Sequence, residues 1–315
     1  MNKKRLLYVV LGAILCIGLI LFLQNRFGNI NYYYLIAGFF VYTLVLFLRS
    51  FKLNRILNVY TNIGFKETLS LTASSQLMGA FIPGRAGEIL VSAYLKFKYI
   101  IDVSKVLPIL FLDKIIELLC VLLYSLIAIS IFSGNLFSFV SDNFKGIQDN
   151  YLILIVVIFC IILFFIMVIK IFGARLRSVL VNIKQSLLIP IKEPKLGVII
   201  LITSFLTIIS EYFYLYLIFH AFNIEITIAK IIIVHSLGMI VGVLSMIPGG
   251  QGSTEVTMIA ILHFWGYTTL AVLSPILASK ILTYVTLFIY AVPLLPYSIS
   301  VLKQKKISRK KVDSE

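Results

Sequence analysis

Two short motifs hold most of the residues in this sequence that could do chemistry. The first is Ile82-Pro83-Gly84-Arg85-Ala86-Gly87-Glu88, and the second is Ile247-Pro248-Gly249-Gly250-Gln251-Gly252-Ser253-Thr254-Glu255. Each sets a proline, a glycine cluster and then a glutamate into an otherwise apolar stretch. Proline and glycine interrupt helices, and in hydrocarbon both unpaired backbone and charge are costly. The ionisable residues within apolar segments are Arg85, Glu88, Asp113, Lys114, Glu117, Glu211, Glu255 and Lys280. Each costs roughly 2.5–3.5 kcal/mol at a bilayer centre. They are therefore expected either to pair with one another or to face a shared polar cavity. Asp113 and Glu117 share a helix face, with Lys114 beside them. Broken helices offer free N–H groups and a positive helix end. With Arg85, Lys114 and Lys280 nearby, such a cavity suits an anionic head group such as a phosphate. The carboxylates would hold a cationic part or relay protons. The expectation is a hydrophilic cleft joining Glu88 to Glu255. The contrasting arrangement is a dry set of ion pairs that locks helices together.

Other chemistries find little support. Gly249–Thr254 lacks the lysine of a phosphate-binding loop and follows no strand. His220, His235 and His263 are scattered, and Cys16, Cys120 and Cys160 lie in apolar runs without ligand spacing. No spacing points to a nucleophile with its base. No metal, cofactor or catalytic residue is expected.

These motifs must be positioned by membrane helices. The 315 residues are 60% hydrophobic with a mean hydropathy of +1.04, against about 45–50% apolar residues in soluble domains. The long apolar runs are continuous rather than alternating, which gives an all-α polytopic membrane protein and excludes a β-barrel. No polar stretch is long enough for a soluble domain, so a single integral membrane domain is expected. Full spans are expected near Leu6–Leu23, Tyr32–Leu48, Val106–Phe132, Leu152–Ile169, Leu196–Phe219 and Leu270–Ile299. The first is read as an uncleaved span rather than a signal peptide, because it is long and no small-residue cleavage site follows. Thr68–Phe81 and Glu88–Lys96 are each too short to cross, and Ile231–Trp265 is likewise broken in its middle. Both are read as re-entrant pairs, with an eight-span layout as the alternative. Polar connections are expected over Arg49–Lys66 and Ser133–Tyr151, an amphipathic surface helix over Leu176–Ile191, and a basic tail over 303–315.

The net charge of +15 would suggest nucleic acid on a soluble protein. Here it follows the positive-inside rule. Of the 28 lysines and arginines, Arg26, Lys145 and Lys230 fall in loops on one side. Arg85, Lys114 and Lys280 lie within apolar segments, and all the rest fall on the other side. That places both termini in the cytoplasm and needs no nucleic-acid partner. Each half, 1–135 and 150–302, then reads span, span, broken pair, span. The two halves enter from opposite sides, as in an inverted repeat.

The motifs resemble those of a known family, the membrane domain of lysylphosphatidylglycerol synthases, also called UPF0104. Pro83-Gly84-Arg85-Ala86-Gly87-Glu88 is similar to its P-x-R-x-G-E signature, and Pro248–Glu255 to its P-G-G-x-G-x-x-E signature. Arg49, at the end of the second span, is similar to an arginine the family places there. Asp113-Lys114-Ile115-Ile116-Glu117 stands for the family's E-R-x-x-D with the charges kept. Lys280 stands where an arginine is usual, and Val91 stands where an arginine often follows the first motif. The resemblance covers nearly the whole chain. It implies a lipid flippase-like transporter of the cell membrane, moving an anionic, aminoacylated or polyprenyl-phosphate-linked lipid and associated with resistance to cationic peptides. The expected substrate-binding set is Arg49, Pro83, Gly84, Arg85, Gly87, Glu88, Asp113, Lys114, Glu117, Glu211, Pro248, Gly249, Gly250, Gly252, Glu255 and Lys280. The sequence leaves no length for the synthase part, so lysyl transfer is not expected of it. The expected partners are membrane lipids, with a separate lipid-modifying enzyme or a second copy as further candidates. The second reading is a non-transporting membrane subunit or scaffold for a lysyltransferase or glycosyltransferase.

Overall fold

A computed structural model describes residues 30–81, 87–148, 193–245 and 247–292, with side chains of 129–148 excepted. These form eight helices in chain order: α1 Tyr32–Leu57, α2 Phe65–Gly79, α3 Glu88–Tyr99, α4 Val103–Gln148, α5 Pro194–Ala221, α6 Ile228–Leu244, α7 Ser253–Phe264 and α8 Thr269–Ala291. No regular strand is present among the described residues. The expected spans Leu6–Leu23 and Leu152–Ile169, the Leu176–Ile191 helix and the 303–315 tail lie outside the described residues.

The start of α1 is capped by Asn31, whose side chain accepts from the Tyr33 N–H at 3.2 Å. Pro194 opens α5, where its missing N–H costs nothing. α1, α5 and α8 have 26, 28 and 23 residues and are long and apolar enough to cross a membrane. α2, α3, α6 and α7, at 15, 12, 17 and 12 residues, fall short of a core about 30 Å thick at about 1.5 Å per residue. The chain is a polytopic α-helical membrane protein, and the two broken pairs lie where the glycine motifs interrupt the apolar runs.

α1 and α5 pack most extensively. Gly38 permits their close approach, since a Cβ there would stand 2.9 Å from Ile218 Cδ1. α8 packs on α2 and α4 packs on α6, so each half sets its last span against the other half's broken pair. Three apolar clusters fill the interior. One centres on Tyr42, Val45 and Ile218, one on Ile56, Leu95 and Ile109, and one on Tyr212, Phe219 and Leu262. Meanwhile Phe40, Leu126, Ile202 and Leu270 point outward and are well exposed, as lipid-facing side chains are.

Two expected boundaries are corrected. The second span does not end at Leu48. α1 runs on through Arg49 and Lys52 to Leu57, because no glycine or proline stops it and its charges find partners inside the bundle. The connection expected over Ser133–Tyr151 is helical through Gln148, since its polar residues do not include a proline and only Gly134 and Gly146 weaken the helix.

Candidate functional site

α1 brings two cations inward, one turn apart. Arg49 Nη2 lies 2.6 Å from Glu211 Oε1 on α5, and Arg49 Nη1 donates to Gln76 Oε1 on α2 at 3.0 Å. Arg49 and Glu211 stand at equal depth, counted from the starts of α1 and α5. Their pair thus fastens the first described spans of the two halves at matching points. Tyr42, two turns earlier on α1, also donates to Gln76 Oε1, at 3.4 Å.

Lys52 is 2% exposed, so its ammonium is fully inside the protein. It lies 2.6 Å from Glu117 Oε1 and 2.8 Å from Asp113 Oδ1, and donates to Ser204 Oγ on α5 at 3.1 Å. The contact with Asp113 Oδ1 is an ion pair in distance but not aligned as a hydrogen bond. The spacing of Asp113 and Glu117 on α4 puts both carboxylates toward α1. Lys114 turns the other way. It reaches Glu117 Oε2 at 2.9 Å and Glu88 Oε1, in the first turn of α3, at 3.3 Å. Burying an ion costs several kcal/mol, which here is offset because no ammonium faces fewer than two acceptors. Arg49, Lys52, Glu88, Asp113, Lys114 and Glu117 line a cavity of about 40 Å³, together with Thr72, Ser75 and Gln76.

The second motif builds a separate pair. Lys280 Nζ on α8 lies 2.7 Å from Glu255 Oε1 in the first turn of α7. Glu255 Oε2 accepts from the Gly252 N–H at 2.6 Å. The helix end expected to be free for an anion is therefore filled by the motif's own carboxylate. The two broken pairs touch at their tips. Gly249, at φ +63°, leaves room for Ala80, whose Cα would stand 2.8 Å from a Cβ at that position. Gln251 Nε2 donates to the Ala80 carbonyl at 3.3 Å and to Tyr284 Oη at 3.0 Å. Within the first pair, Gly87 lets α3 meet α2, since a Cβ there would fall 2.0 Å from the Ser75 carbonyl oxygen.

The structure thus brings Arg49, Glu88, Asp113, Lys114, Glu117 and Glu211 into one network, with Glu255 and Lys280 in a second. Among the described residues, Glu88 lines this cavity and Glu255 stands in the pair with Lys280. Both glutamates are paired, and their side chains keep 20% and 14% exposure. Gly250 and Gly252 have positive φ in the second turn, with Pro248 before them. Pro83, Gly84 and Arg85 lie outside the described residues.

Sequence reasoning missed Lys52, Gln76 and Ser204. Lys52 was assigned to a polar connection, whereas it is the most enclosed cation described. The spacing of Arg49 and Lys52 puts them on one helix face, and nothing between them breaks a helix, but this alone does not say that the face is buried.

At the base of the first broken pair, Glu67 Oε1 meets Lys98 Nζ at 2.7 Å and accepts from Tyr94 at 2.8 Å and Tyr99 at 2.9 Å. Partial burial pushes the Glu67 carboxyl up, but the hydrogen bonds from Lys98, Tyr94 and Tyr99 outweigh it and hold the group below its ordinary value.

The family model described as lysylphosphatidylglycerol synthase TM region matches residues 7–291. A curated UPF0104 membrane protein of Methanothermobacter thermautotrophicus is 41% identical over 68 residues, 22% of this chain and 20% of that protein. Another match to a UPF0104 membrane protein of the same organism is 26% identical over 135 residues, 43% of this chain and 40% of that protein. The matches thus span a fifth to two fifths of these relatives' length. No solved structure matches.

Proposed function

The chain belongs to the family of lysylphosphatidylglycerol synthase transmembrane regions, and from that premise we propose that it moves a phospholipid head group across the cytoplasmic membrane. The observation that carries this reading is the charged network around the 40 Å³ cavity, set at the breaks of short helices inside a lipid-embedded bundle. Small-molecule pockets run to about 300–1,000 Å³, so the described arrangement is a closed one. Opening would exchange internal ion pairs for contacts with the head group. Arg49 and Lys114 are suited to its phosphate, and Glu88 and Glu117 to a cationic substituent such as an aminoacyl group. Polyprenyl-phosphate-linked lipids share the phosphate chemistry. The tails would remain in the surrounding lipid. The matching helix orders, α1–α4 and α5–α8, support an inverted repeat, with the touching tips of the broken pairs as its gating elements. The cytoplasmic placement of both termini rests on the charge asymmetry of the loops.

The second reading is a membrane subunit or scaffold that serves a separate lipid-modifying enzyme without moving lipid. It is favoured by the pairing of every carboxylate in the network. Reconstitution separates the two. Vesicles holding the protein and a head-group-labelled anionic or aminoacylated phospholipid should exchange label between leaflets faster than empty vesicles. Arg49→Gln should remove the difference. Equal rates in protein-containing and empty vesicles, for every lipid class tried, would leave the scaffold reading.

A further inference from the structure

Asp113 is a buried carboxylate of the network that has to share its cation. Glu117 takes both Lys52 and Lys114, at 2.6 and 2.9 Å. Asp113 shares Lys52 with Glu117, and its Oδ1 has no aligned donor although the residue is 8% exposed. Two further buried polar atoms, Arg49 Nε and Gln76 Nε2, have no hydrogen-bond partner, and their residues line the same cavity. Arg49, Gln76 and Asp113, the last paired with Lys52, thus all line one small space. A cavity of about 40 Å³ holds a water, which needs two to four polar partners.

We propose that Asp113 is a proton-exchange site. One proton passes from a hydronium ion reaching the cavity to an Asp113 carboxylate oxygen: an O–H bond of the hydronium breaks, an O–H bond forms on Asp113, neutral water is left and the negative charge of the carboxylate is lost. Lys52 is then left to Glu117 and Ser204. Loss of the proton to the same water restores the shared arrangement. Asp113 and Glu117 reach the same Lys52 ammonium in a desolvated place, and carboxylates so placed exchange protons as a coupled pair. The groups facing Asp113 are Arg49 and Lys52 from α1, Gln76 from α2, Glu88 from α3, Lys114, Glu117 and Cys120 from α4, and Ser204 and Glu211 from α5. The titratable side chains of α6 are Lys230, over the Trp265 and Tyr267 rings, and His235, edge-on to Tyr212. A metal ion fits the place less well than a proton, because the Lys52 ammonium already occupies the oxygens it would need. Among the described residues, no group of three acidic, histidine or cysteine side chains is arranged to hold one. Coupling of this proton to lipid movement rests on the proposed function, whereas the proton site itself does not.

Infrared difference spectra of the purified protein across a pH titration read the site without any transport assay. A protonated-carboxyl stretch should appear on acidification, shift when aspartate is isotope-labelled at the carboxyl carbon, and stay in place when glutamate is labelled. It should vanish in Asp113→Asn and persist in Glu117→Gln. A band that follows the glutamate label, or one that persists in Asp113→Asn, would overturn the proposal. The labelling arm decides the matter in the natural sequence if a variant fails to fold. In vesicles, lipid exchange should depend on pH in the natural protein and lose that dependence in Asp113→Asn. An aspartate band in a protein that exchanges no lipid supports the proton site and removes the function proposed above.

Discussion

Lys52 shows how far one side chain ties this bundle together. It joins α1 to two carboxylates of α4 and a hydroxyl of α5, with no exposure to share the charge with water. Removing one partner from a buried ion network leaves uncompensated charge and costs about 3–5 kcal/mol. Lys52→Met is therefore expected to destabilise the protein by about that amount, read as a lowered unfolding temperature in detergent. Neutralising the acids too should return much of the loss. The triple variant Lys52→Met, Asp113→Asn, Glu117→Gln is expected to unfold at a higher temperature than Lys52→Met alone. An equal or lower temperature would show that Lys52 acts by packing rather than charge. Asp113, Lys114 and Glu117 were legible from their place in an apolar run. Lys52 was not, because it lies at the end of an apolar run beside Arg55 and Lys66, where charge is usually solvated. What moved it inside was a partner sixty-five residues away, which local pattern does not reveal.

The breaks between short helices were legible as elements because proline and glycine act locally. The structure starts α3 at Glu88 and α7 at Ser253, within the closing residues of the motifs and directly after their last glycines. What the glycines touch was not legible, since contact across the bundle depends on tertiary packing. Gly87→Ala would drive a methyl group into the Ser75 carbonyl and part α2 from α3. It is expected to cost about 1–3 kcal/mol or more, whereas Gly64→Ala, with nothing within 4 Å, should stay within about 0.5 kcal/mol. Comparing the two unfolding temperatures checks this. At the other end of the same pair, Glu67 is held ionised below its ordinary range by Lys98 and two tyrosines. A carboxylate lowered in the folded state stabilises above the unfolded value and loses that contribution as pH falls through the folded value. Amide exchange in the last turn of α3 should therefore rise on acidification within the acid range, and Glu67→Gln should remove that rise. Unchanged exchange in both proteins would mean that the base is held by other contacts.

At the scale of the whole molecule, composition and continuous apolar runs sufficed for the class. Which charges meet was not legible, because sequence order does not say so. The structure pairs Glu88 with Lys114 and Glu255 with Lys280, each glutamate tied to the span that follows it, and the broken pairs meet through Gly249 and Ala80. The account's central claim is that a lipid head group enters between α1, α3 and α4. A phospholipid carrying a photoreactive group on its head group, irradiated in vesicles with the protein, tests that claim most directly. The account predicts label on the peptides bearing Arg49 and Lys114, competed by the unlabelled lipid. Label confined to lipid-facing positions such as Phe40, Leu126 and Ile202, and not competed, would contradict it.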